Sequence, residues 1–233
     1  MTVMRAWVVP MLLGVALACG CAGQTGGPTG AANARGAANA GGAAAAGTKM
    51  DAAELPDLEG RRVVMVIAHR DFRDEELLKP KALLEKAGAR VAVASSSLEP
   101  ATGALGAKVT PDVLLKDVDA GDYEAVVFIG GPGAKEYWDD RTAHALARAG
   151  VEQGKVVAAI CIAPVTLANA GVLDGKKATV WRTEAGRLRA QGADYTGTDV
   201  EVDGRLITAN EPEAAEDFGK AIAEALAGEE GPA

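Results

Sequence analysis

The stretch Val63–Ala68, VVMVIA, constrains this chain more than any other, because it leaves no polar residue for either face of a strand. A strand with one wet face alternates polar and apolar side chains. A strand that is apolar throughout is buried on both faces, as in a parallel sheet covered by helices on each side. The following residues fit that arrangement. EELLKPKALLEKAG puts Leu77, Leu78, Leu83 and Leu84 on one helical face and stops at Gly88, with Pro80 read in the first turn, where a missing N–H costs little. RVAVAS is a second strand, YEAVVFIGGPG a third ending in a glycine turn, and DDRTAHALARAGVEQG a helix. KVVAAI is a fourth strand, APVTLANAGVL a helix, KATVW a short strand and RTEAGRLRAQG a helix. TDVEVDGRLITA reads as a hairpin around Asp203-Gly204, and EPEAAEDFGKAIAEALAG as a closing helix between Pro212 and Gly228. Strands alternating with helices of about ten or more residues imply right-handed βαβ crossovers. The expectation is an α/β fold, a mostly parallel sheet sandwiched by helices, in one domain over 57–228 with a tail over 229–233.

The amino-terminal end has a different character. Residues 1–21 carry one basic residue, Arg5, then an acid-free apolar run from Ala6 to about Ala18, the plan of an export signal. The run is shorter than the roughly 20 residues a membrane span needs. It ends in ALAC and ACGC, which resemble the lipid-attachment site of bacterial lipoproteins, with Cys21 or Cys19 as the acceptor. Ala16-Leu17-Ala18 also fits simple secretory cleavage. Residues 22–56, almost wholly small and polar at first, have too little apolar surface to offset ordering entropy and read as a flexible linker. The expected product is an exported body, lipid-anchored to the bacterial cell envelope, in the periplasm or outside.

Charge and cysteine usage exclude other classes. Beyond residue 56 the chain carries 21 basic against 30 acidic side chains, so neither nucleic-acid binding nor adhesion to anionic lipid is expected, and membrane contact falls to the anchor alone. After Cys19 and Cys21 only Cys161 remains, which rules out a disulfide framework. No metal-ligand spacing and no cofactor fingerprint is read, so neither is expected.

In open parallel sheets the functional crevice lies at the carboxyl ends of the strands. Three segments fall there: HRDFRDEELLKP, GGPGAKEYW and CIAP. Cys161 then occupies a tight strand-to-helix turn, a nucleophile elbow. The helix beginning near Ala163 aims its N–H groups and dipole at the sulfur. That favours the thiolate, since helix-terminal cysteines titrate at about 3.5–7.5 instead of about 8.5. Gly130 and Gly131 can bring backbone N–H groups close to a bound oxygen, as an oxyanion hole requires. Glu76, near a thiol in an apolar crevice, should have a raised pKa and serve as a proton donor. Plainer readings stand beside these: a buried small hydrophobe, a simple turn and a solvated helix start. Arg182 and Asn210-Glu211 also lie at strand ends as weaker candidates, His144 reads as a surface helix residue, and His69 lies just after the first strand.

DFRDEELLKP, VVFIGGPGA, AAICIAPVTLANAGVLDGKKAT and VDGRLIT, in this order, resemble the ThiJ/PfpI family over roughly Arg61 to Gly228. The resemblance implies a flavodoxin-like, single-domain fold, usually homodimeric. It matches Cys161 to the family's elbow cysteine, Glu76 to the glutamate that hydrogen-bonds it, and Gly130 and Gly131 to the glycine turn, with Ile162 as a further backbone donor. The peptidase-like branches place a histidine after the cysteine; here that residue is Ile162, so the base for acyl transfer is missing and peptide hydrolysis is not expected. The implied activity is glyoxalase- or deglycase-type chemistry on small electrophilic carbonyls. The alternatives are a cysteine redox sensor acted on by an oxidant, or a non-catalytic, chaperone-like binding module.

Overall fold

A computed structural model describes residues 55–228; the signal, lipid-anchor and linker readings before residue 55, and the tail, lie outside the described residues. The elements, in chain order, are β1 Arg62–Val66, β2 Arg70–Phe72, α1 Asp74–Lys86, β3 Arg90–Ser95, β4 Ala101–Gly103, β5 Lys108–Val109, β6 Val113–Leu114, β7 Ala125–Phe128 and α2 Arg141–Glu152. There follow β8 Val156–Ile160, α3 Pro164–Asn169, β9 Lys177–Ala178, α4 Ala185–Ala190, β10 Asp194–Tyr195, β11 Val200–Asp203, β12 Leu206–Ala209 and α5 Ala215–Ala227.

Seven strands form the main sheet in the order β11-β12-β8-β7-β1-β3-β6. Every neighbouring pair is parallel except β11 with β12, the hairpin expected at Asp203-Gly204. The apolar run of β1 explains itself here. Val63, Met65 and Ile67 enter one core with Leu77 and Leu84 of α1 and Phe218 and Ile222 of α5. Val64 and Val66 enter a second core with Leu146 of α2, Leu167 of α3 and Leu188 of α4. Each fully buried aliphatic side chain is worth about 1.5–3 kcal/mol, so both sides of the sheet are secured by the same strand.

Some local expectations need correction. Leu78 is 45% exposed, because α1 buries a narrower face through Leu77, Pro80 and Leu84. Pro80 lies inside α1, not in its first turn. The helical bond it cannot make is the one to the carbonyl of Glu76, four residues back. It packs on α5, where a Cβ added to Gly219 would meet Pro80 Cα at 3.0 Å. Helix α3 stops at Asn169, well short of Leu173, with Gly171 at φ +81°. The RTEAGRLRAQG helix is divided into a 3-10 turn, Arg182–Glu184, and the short α4.

Two small sheets were not anticipated: β2-β4-β5 and β10-β9. The first is fastened to α1 by buried Asp74, whose carboxylate accepts the backbone N–H groups of Leu105 at 2.8 Å and Ala107 at 2.7 Å. In the main sheet the chain passes from β1 to β3 on one side and places β7 on the other. That reversal opens a crevice at the carboxyl ends of β1 and β7.

Candidate functional site

Strand β8 delivers Cys161 to this crevice in a conformation that L-residues avoid. Its φ is +63°, and Asp71 is the only other non-glycine with positive φ among the described residues. Such a backbone costs on the order of 1–2 kcal/mol and persists only where surrounding bonds over-determine it. Here the Cys161 N–H donates to the Ala209 carbonyl at 2.9 Å, and the Cys161 carbonyl accepts the Trp181 N–H at 2.8 Å. The side chain is 8% exposed.

The glycine turn after β7 is packed against it from one side and against the loop before α1 from the other. A Cβ on Gly130 would stand 2.6 Å from Glu76 Oε2, 2.7 Å from Cys161 Cβ and 2.7 Å from the Ile160 carbonyl oxygen. Gly131, at φ +96°, lies so close to Asp71 and Arg73 that a side chain there would collide with their backbone. The Arg73 N–H donates to the Gly130 carbonyl at 3.0 Å, tying the turn to the start of α1.

Glu76 is fully buried in the first turn of α1. Its Oε2 accepts the Gly130 N–H at 3.0 Å, and its carboxyl hydrogen-bonds the Cys161 side chain. The other oxygen, Oε1, is buried and has no hydrogen-bond partner among the described residues. Gly130 therefore spends its N–H on Glu76 and is not available as the oxyanion donor expected of it. The N–H groups that reach the sulfur are those of Gly131 and Ile162.

Burial dominates the electrostatics. It raises the Glu76 carboxyl to about 8, against the bonds from Cys161 and Gly130 and the charge of Arg73, which pull it down. The same burial, joined by the charge of Glu76, pushes the Cys161 thiol up to about 12, although the Gly131 and Ile162 N–H groups oppose the rise. The expectation of a lowered thiol is thus overturned, because loss of solvent is the largest influence on the sulfur. The two groups titrate as a pair. Its first proton leaves near pH 8, and a thiol beside a carboxylate is the form that results.

A cavity of about 360 Å³ opens over Cys161, Gly131 and Ile162, with Arg73, Lys135, Trp181, Thr183, Glu184 and Glu213 among its walls. Arg73 is oriented by Glu75, with Nε 2.8 Å from Oε2. Arg182 is exposed and outside the walls, while Asn210 donates to Asp199 Oδ1 at 3.1 Å. Glu211 also stands outside the walls, although Pro212 and Glu213 beside it contribute. Neither histidine lines the cavity. His144 is half-buried and its Nε2 lies 2.8 Å from the Trp138 carbonyl, a tether and not a free surface group. The backbone N–H of His69 donates to Glu136 Oε1 at 3.4 Å. Arg73 and Lys135 lie within the strand-end segments HRDFRDEELLKP and GGPGAKEYW; Trp181 and Thr183 flank the weaker strand-end candidate Arg182 and line the cavity in its place. Among the described residues no cluster of three or more His, Cys, Asp or Glu is arranged to hold a metal ion, and no helix is long and apolar enough to cross a membrane.

Comparison with known proteins follows the same residues. A model of the DJ-1/PfpI family matches residues 61–225. An uncharacterized protein of Methanocaldococcus jannaschii is 42% identical over 173 residues, covering 73% of this chain and 84% of its own. A glutathione-independent glyoxalase of Caenorhabditis elegans is 29% identical over 170 residues, covering 73% and 91%. The crystal structure of a ThiJ/PfpI domain protein from Brachyspira murdochii superposes with a TM-score of 0.71 at 33% identity, covering 72% of this chain and 97% of that one.

Proposed function

The chain belongs to the DJ-1/PfpI family, and from that premise we propose that it is a cofactor-free enzyme of glyoxalase or deglycase type, with Cys161 as nucleophile and Glu76 as proton carrier. The observation that carries this reading is the buried carboxyl hydrogen-bonded to the thiol and raised to about 8. A base poised near the working pH is what proton abstraction next to a carbonyl needs.

With methylglyoxal the steps balance without an external oxidant or reductant. The Glu76 carboxylate takes the thiol proton as sulfur bonds to the aldehyde carbon, then returns it to the new oxyanion, giving a hemithioacetal. The carboxylate next removes the proton on that carbon and delivers it to the neighbouring ketone carbon through an enediol, while the hemithioacetal hydroxyl gives up its proton and the ketone oxygen gains one. The former aldehyde carbon is oxidised to a thioester and the ketone reduced to an alcohol. Water cleaves the thioester, releasing lactate and restoring the thiol. The Gly131 and Ile162 N–H groups, beside the sulfur, are placed to stabilise the oxyanion.

A relative named as a glyoxalase supports the carbonyl chemistry. The redox-sensor alternative uses the same buried thiol and differs in its reactant, an oxidant in place of a carbonyl. A binding module would tolerate loss of Cys161. The absence of an imidazole from the cavity walls argues against peptide hydrolysis. The homodimer belongs to the proposal by family resemblance. The envelope location and the lipid on Cys21 or Cys19 rest on the sequence of residues 1–21 alone. The test is lactate formation from methylglyoxal by the full chain: the wild type produces it and Cys161→Ser does not, whereas an equally active serine variant would remove the nucleophile from the account.

A further inference from the structure

The two peptide groups that follow Cys161 are each held by a tryptophan. The backbone N–H of Trp181 fixes the Cys161 carbonyl at 2.8 Å, and so the peptide whose other end, the Ile162 N–H, reaches the sulfur. The indole Nε1–H of Trp138 donates to the Ile162 carbonyl at 3.1 Å, fixing the next peptide along. Trp138 is not a wall of the cavity; it stands behind it, half-buried. Its own placement is over-determined. The Lys135 ammonium and the Arg187 guanidinium lie over its ring, 5.6 and 4.8 Å from the centroid. Its carbonyl lies 2.8 Å from both His144 Nε2 and Asn169 Nδ2. An indole has one polar atom, a donor, and this one is spent on the residue after the elbow cysteine.

We infer that Trp138 is a positioning residue for Cys161: its indole N–H locks the elbow peptides so that the Ile162 N–H stays aimed at the sulfur, and the two cations lock the indole. Donors fixed before the reaction need no reorganisation during it, which is where their value lies. The ring packs against both cores from a half-buried position, and packing alone does not require that its one polar atom be joined to the nucleophile's neighbour. Glu76, the charged group hydrogen-bonded to the sulfur, and Arg73, which acts on Glu76, are both reached independently of Trp138.

The inference rests on Cys161 being the reactive group. Its test reads the thiol and not carbonyl turnover, so failure here and failure of the glyoxalase reading are separate results. In the full chain, Trp138→Phe keeps an aromatic ring, smaller than the indole, and removes the donor. The rate of Cys161 alkylation by iodoacetamide, followed from neutral to strongly alkaline pH, is expected to fall about three- to tenfold at a given pH, the effect of one hydrogen bond, with the midpoint moved upward. An unchanged pH profile overturns the inference, including the case in which the variant merely melts earlier. If Trp138→Phe does not fold, Asn169→Ala decides, because Asn169 lies outside the cavity walls and its loss removes the amide that donates to the Trp138 carbonyl at 2.8 Å, leaving the indole N–H in place but less firmly held. A smaller fall in the same direction supports the assignment, and a wild-type profile overturns it.

Discussion

The carboxyl of Glu76 and the thiol of Cys161 share a hydrogen bond in a site from which water is almost excluded, and that burial raises the proton affinity of both groups. The sheet makes this possible. Glu76 arrives on the helix after β1 and Cys161 on the turn after β8, and β7 lies between these strands. The glycine turn after β7 fills the gap, and only a residue without a side chain fits there.

That proton should be visible in stability. Glu76 has a folded value of about 8 against an ordinary 4.5. The unfolded chain therefore releases the proton near pH 4.5, and the folded chain holds it until about 8. The stability it contributes is whole below pH 4.5 and is lost as pH rises through 8, at no more than about 1.4 kcal/mol per pH unit. Urea unfolding at pH 5 and pH 8 should show the wild type losing roughly 2–4 kcal/mol relative to Glu76→Gln. Parallel behaviour of the two proteins would mean that the carboxyl ionises as freely folded as unfolded.

Gly130→Ala should be costly. The added methyl would lie 2.6 Å from the Glu76 oxygen and 2.7 Å from Cys161 Cβ, and neither is the end of a flexible chain free to withdraw. The expected loss is about 1–3 kcal/mol, as for overpacked cores. Gly186→Ala is the control, since nothing lies within 4 Å of its Cβ and alanine is the better helix former by about 1 kcal/mol. Equal denaturation midpoints for the two variants would contradict the packing argument.

The elbow backbone gives a test that needs no substrate. Within regular structure, glycine is less stable than alanine by about 0.5–1 kcal/mol. At Cys161, with φ +63°, the order should reverse: Cys161→Gly more stable than Cys161→Ala by about 1 kcal/mol. Thermal unfolding of the two variants distinguishes these outcomes, and the usual order would remove the strain from the description of the site.

For the exported form, intact-mass measurement of the mature protein from the membrane fraction should show a diacylglycerol-bearing chain that begins at Cys21 or Cys19. A mature chain without lipid would leave secretion through Ala16-Leu17-Ala18 as the correct reading of residues 1–21.

Much of this architecture was legible because parallel strands buried on both faces leave a local signature. Val63–Ile67 and Val156–Ile160 are apolar at every position, and the two cores take alternate residues of each. The β2-β4-β5 sheet left no signature, since strands of two or three residues complete no period; a long-range bond from Asp74 supports it instead. Glu76, Gly130 and Cys161 could be named as partners from strand ends alone. Their proton balance could not, because the sequence shows the helix start after Cys161 and not the depth of burial that outweighs it. Trp138 and Trp181 were missed for the same reason: what matters is which distant carbonyl each one meets.

The most direct measurement is the rate of lactate formation from methylglyoxal, followed from pH 6 to pH 10 in the wild type and Glu76→Gln. The pair should be active in the form that has lost one proton, so wild-type turnover should rise with pH to a plateau beyond about 8, following the Glu76 carboxyl. Glu76→Gln, which keeps the shape and loses the proton carrier, should turn over about 100-fold more slowly or worse. A glutamine variant that matches the wild-type rate and pH profile would contradict the claim that Glu76 and Cys161 act together.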